Sequence, residues 1–96
     1  MPFTAPVSDF RFLMDHVVPL APVAATERFA EAGPETAEAI LTEAGRLCSE
    51  VLAPLQRAGD LHPAVLENGV VRTPPGFPEG YRAIAEGGWV AIAADP

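Results

Sequence analysis

Apolar residues recur between positions 34 and 57 at the spacing of one helical face. In PETAEAILTEAGRLCSEVLAPLQR, Ala37, Ile40, Leu41, Ala44, Leu47, Cys48, Val51 and Leu52 fall on one side of a 3.6-residue helix. Glu38, Thr42, Glu43, Arg46, Ser49 and Glu50 fall on the other, so that face is expected to be wet. Gly33 fits the N-cap, Pro34 fits the first helical position, where no N–H is needed, and Glu35 and Glu38 complement the positive end of the helix dipole. Pro54 lacks an N–H for the carbonyl of Glu50 and its ring crowds that carbonyl, which predicts that the helix ends near Ala53 or kinks there and frays toward Gly59. About 20 residues at 1.5 Å each give a helix of about 30 Å. Gly45 inside it costs about 1 kcal/mol relative to Ala, as a tolerated weak spot or as the site of a close helix crossing.

The flanking pattern predicts shorter elements. Residues 1–7 carry two prolines and are expected to be extended; Ser8 and Asp9 then offer a cap for a helix with Phe10, Leu13, Met14, Val17 and Val18 on one face, closed by Pro19. The segment VAATERFAEA, 23–32, is expected to be a second short helix ended by Gly33, giving an antiparallel helical arrangement with the long one. Beyond Gly59 the chain turns to loop composition, with four of its eleven prolines and four of its eight glycines in GDLHPAVLENGVVRTPPGFPEG. Asp60 is expected to shape a turn there. Asn68-Gly69 between Val65-Leu66 and Val70-Val71 predicts a type I′ turn and a small hairpin near residues 65–73. Pro74, Pro75 and Pro78 predict an extended path into a last helix over Pro78–Glu86, with Tyr81, Ile84 and Ala85 inward and Gly87-Gly88 as its stop. The apolar run Trp89 to Ala94 follows.

Composition makes the core thin. The hydrophobic fraction is 49%, but 17 of those 47 residues are alanines that bury little area each. The unit is therefore expected to lean on something outside itself, and the exposed apolar ending predicts a longer parent chain whose next layer is missing. Six arginines, no lysine and 13 acids give a net charge of -7. Arginines isolated at positions 11, 28, 46, 57, 72 and 82 cannot replace a row of phosphate counterions, which argues against a nucleic-acid partner. The single cysteine, Cys48, excludes an internal disulfide and lies on the apolar face as a small packing residue. No basic region followed by an apolar run opens the chain, and no stretch approaches the roughly 20 apolar residues of a membrane span. A reducing, cytoplasmic location is expected.

Reactive chemistry is sparse. His16 and His62 have no cysteine or acid at metal-ligand spacing. Ser8 and Ser49 lack a nucleophile-elbow context, and Gly87-Gly88 ends a helix instead of opening one, so it makes no phosphate loop. Asp15 and His16 are turned about 100° apart on a helix. Glu43 and Glu50 sit on the solvated face. No catalytic, cofactor-binding or metal-ligating residue is assigned.

Four stretches in order, Ala5-Pro6-Val7 with Asp9 and Phe12, AILTEAGRLCSEVLAPLQRAGD from Ala39, GVVRTPPGF from Gly69 and YRAIAEGGW from Tyr81, resemble the N-terminal helical region of acyl-CoA dehydrogenases. The resemblance covers nearly the whole chain and is strongest to the large bacterial subgroup that includes the 3-methylthiopropionyl-CoA dehydrogenases. It implies a mainly α fold and a bundle-like partial N-terminal domain over residues 1–96, with a β-domain and a C-terminal helical domain elsewhere in the parent. It further implies a flavoprotein oxidoreductase of fatty acid metabolism: FAD as hydride acceptor, an acyl-CoA substrate, an electron acceptor, and a homo-oligomer. The catalytic glutamate of that family lies in its C-terminal part and matches none of the glutamates here, so the 96 residues by themselves are expected to be scaffold without activity. Two other classes are open on the residues alone. One is a stand-alone helical interaction or dimerisation module; the other is a small-ligand carrier, against which the aromatic residues are dispersed.

Overall fold

The computed structural model describes residues 2–95, so Met1 and Pro96, the two ends of the expected extended start and apolar finish, lie outside the described residues. The chain is mainly helical with one small hairpin, and it divides into two units, residues 4–46 and residues 47–95 with 2–3.

In the first unit, α1 runs Val7–Phe12 and continues as a π-helical turn over Leu13–Val17. Its cap is not Ser8 or Asp9. Pro6 stands at the N-cap without any side-chain hydrogen bond, and its carbonyl accepts from the N–H groups of Asp9 and Phe10 at 3.2 Å each, so the helix starts two or three residues earlier than the polar pair suggests. The end falls where Pro19 predicts. Val18 N–H bonds the carbonyl of Leu13, five residues back, at 2.8 Å, and Val18 itself leaves the helical region (φ −123°, ψ 81°), as the residue before a proline is biased to do.

The expected helix over 23–32 does not form. Helix α2 is only Ala21–Ala24, and a series of turns follows it to Glu31. The Thr26 hydroxyl donates to the Val23 carbonyl at 2.7 Å, and the Thr26 N–H also reaches that carbonyl at 3.1 Å. Local bonding of this kind competes with the helical ladder, and the bonds beyond it, Ala30 to Glu27 and Ala32 to Phe29, likewise span three residues.

Helix α3 covers Pro34–Arg46, and the Gly33 carbonyl accepts from Ala37 N–H at 3.0 Å, as an N-cap carbonyl does. Gly45 is a close crossing. A Cβ there would stand 3.1 Å from Val7 Cγ2 and 3.3 Å from Ala5 Cβ, so α1 approaches α3 over the missing side chain.

In the second unit a π-helical turn, Leu47–Leu52, passes directly into α4, Ala53–Leu61. Of the two outcomes expected at Pro54, the stop near Ala53 does not occur, since the chain stays helical to Leu61; the turn expected at Asp60 is also absent, that residue lying in the last turn of α4. The π turn ahead of Pro54 breaks the i→i−4 ladder in which the ring would clash. Pro54 then occupies the first turn of α4, where an N–H has no partner in the helix.

Strands β1 (Val65–Glu67) and β2 (Val70–Arg72) pair antiparallel, with Leu66 opposite Val71. Asn68 (φ 52°) and Gly69 (φ 76°) give the positive φ values that a type I′ turn requires. Glu67 and Arg72 lie diagonally on one face and are joined at 3.0 Å. The path after the hairpin is bent, not extended: Phe77 N–H returns to the Pro74 carbonyl at 3.3 Å, and Gly76 (φ 84°, ψ −12°) has the third-residue angles of a type II turn. Helix α5 is Phe77–Glu86, followed by a 3₁₀ turn at Trp89–Ala91. Its covered face runs through Gly80, Ala83 and Ile84; Tyr81, expected inward, is 68% exposed, and Ala85 is exposed as well.

No hydrophobic side chain among the described residues is fully buried, as the alanine-rich composition leads one to expect. The two residues that are buried, Pro74 and Gly80, carry little side chain or none.

Candidate functional site

Each unit has one notable concavity. In residues 4–46, a hollow of about 180 Å³ is lined by Met14, Leu20 and Leu41 and rimmed by Arg11, Asp15, Glu35 and Glu38. Helix α1 carries Arg11 and α3 carries Glu38; their side chains, each 52% exposed, meet at 2.8 Å across the crossing that Gly45 permits. Such a wetted pair adds at most about 1 kcal/mol.

In residues 47–95, an open groove of about 340 Å³ is lined by Leu52, Leu55 and Gln56 on one side and by Phe77, Gly80, Tyr81 and Ile84 on the other. Glycine lets Leu55 of α4 approach α5 closely. A Cβ at Gly80 would come within 2.5 Å of Leu55 Cδ1 and one at Gly76 within 2.6 Å of Leu55 Cδ2, so the leucine end occupies the place of two absent side chains. Phe77 closes on Gly59 in the same way, its Cζ 3.0 Å from where a Cβ would stand.

The residues singled out in the sequence are not brought together into a reactive group. His16 packs its ring against Phe12 on α1, centroids 5.0 Å apart, and is exposed. His62 caps the C-terminus of α4, in the other unit. Cys48 and Ser49 are half-covered in the π turn, and Ser8 is exposed on α1. Glu43 binds Arg46 one turn along at 3.2 Å, as a solvated helix face allows. Arg28 lies 5.4 Å above the ring of Phe29. Among the described residues no three His, Cys, Asp or Glu side chains stand close enough to hold a metal ion. No helix among them is long and apolar enough to cross a membrane.

Sequence reasoning missed both concavities, because each is made by residues far apart in the chain. The glycine pair four residues apart, Gly76 and Gly80 at the head of an amphipathic helix, was the available signal for the second.

No known protein-family profile matches the chain. Its sequence nevertheless matches that of an acyl-CoA dehydrogenase along almost its whole length, which bears out the resemblance and the mainly helical architecture expected from it. That relative is the 3-methylmercaptopropionyl-CoA dehydrogenase of Ruegeria pomeroyi, 37% identical over 93 residues, which are 97% of this chain and 16% of the relative. The chain thus spans about one sixth of the length of the enzyme it matches.

Two helix starts preceded by a glycine, those of α3 and α5, offer a flavin pyrophosphate no open cradle. A dinucleotide pyrophosphate needs open backbone N–H groups at a glycine turn or helix start. Gly76, ahead of α5, is filled by the Leu55 methyl group. Gly33, ahead of α3, is open, but Pro34 offers no N–H there and Glu35 places a negative charge where phosphate would sit.

Proposed function

We propose that these 96 residues are a helical scaffold segment of a cytoplasmic, FAD-dependent acyl-CoA dehydrogenase, an oxidoreductase that desaturates the Cα–Cβ bond of an acyl-CoA thioester. The observation that carries this reading is the 37% identity running over 97% of the chain to an enzyme of that type. One feature supports the scaffold role: large apolar side chains such as Phe12, Val18, Leu66 and Val90 are 60 to 73% exposed, as in a layer whose cover is supplied elsewhere. Flavin, acyl-CoA and electron acceptor are then held by parts of the parent outside this segment.

The test is the complete gene product, purified and assayed with a panel of acyl-CoA thioesters that includes 3-methylmercaptopropionyl-CoA. A yellow flavin spectrum and acyl-CoA-dependent reduction of a dye are expected. A colourless protein that stays inert on every thioester after FAD is added overturns the enzymatic reading. Assay of the 96-residue polypeptide separates the second half of the proposal: no flavin and no turnover are expected, and turnover by it refutes the scaffold role.

A further inference from the structure

We draw no further inference here: the strongest candidate, the apolar groove lined by Leu52, Leu55, Phe77, Gly80, Tyr81 and Ile84 in the second unit, is an unpartnered face and nothing in the structure shows what covers it.

Discussion

In residues 47–95 one leucine side chain, Leu55, fills the space left by two glycines, Gly76 and Gly80. In residues 4–46 the α1–α3 crossing rests instead on a valine and an alanine over one glycine, with an exposed Arg11–Glu38 pair beside it. Among the described residues, neither unit fully buries a hydrophobic side chain. The difference lies in tolerance: the leucine contact leaves less than 3 Å for any added carbon, whereas the crossing at Gly45 leaves just over that. A domain poor in buried area can thus hold one helix contact by tight shape and another by looser proximity, and the two should respond to the same substitution in different ways.

Gly76→Ala is the severest test. It combines positive φ with the Leu55 contact, and should lower local stability by about 2 to 4 kcal/mol. Hydrogen exchange of the α5 amides in the parent protein is the readout, and unchanged protection would show that the leucine does not hold α5. Gly69→Ala has the same positive φ with open space around it, so its cost, about 1 to 2 kcal/mol and confined to the hairpin, gives the backbone part alone.

Gly80→Ala comes next. It should destabilise by about 1 to 2 kcal/mol, since overpacking against Leu55 outweighs the helix propensity gained. In a Leu55→Ala background the same change should become neutral or favourable, a coupling that a double-mutant cycle on exchange rates would detect. Additive effects would break the proposed fit.

Gly45→Ala, in the other unit, should change stability by less than about 1 kcal/mol. The gain in helix propensity offsets a shift of a few tenths of an ångström by Val7 Cγ2, 3.1 Å away at the start of α1, and by Ala5, 3.3 Å away. A loss as large as that at Gly76 would erase the distinction between the units. The smallest effect belongs to Arg11→Ala or Glu38→Gln, each expected to cost at most about 1 kcal/mol and to fade as salt is raised.

Much of this architecture was legible because it rests on local rules. The 3.6-residue spacing from Ala37 to Leu52 marks the long helical stretch, and Asn68-Gly69 marks the hairpin, since few other dipeptides accept two positive φ values. The errors came where a local rule was overruled by a neighbour. Pro54 reads as a stop only if the ladder before it is α, and here a π turn over Leu47–Leu52 hands it a place in a new first turn. Residues 23–32 have helical spacing, but Thr26 bonds Val23 and the ladder is lost. Tyr81, Ile84 and Ala85 share a face in the sequence, whereas the covered face of α5 runs through Gly80, Ala83 and Ile84. The concavities were illegible for a further reason: no sequence motif marks them, and they exist only once Leu20 and Leu41, or Leu55 and Ile84, come to line one hollow.

Leu55, Gly76 and Gly80 therefore form a set whose changes are expected to be linked in descent. A methyl group at position 80 makes the methyl ends of Leu55 turn away, and so favours a smaller side chain at position 55. The three positions should drift as linked characters, while Ile40 and Val51, whose side chains are 40% and 37% exposed, are free to wander separately.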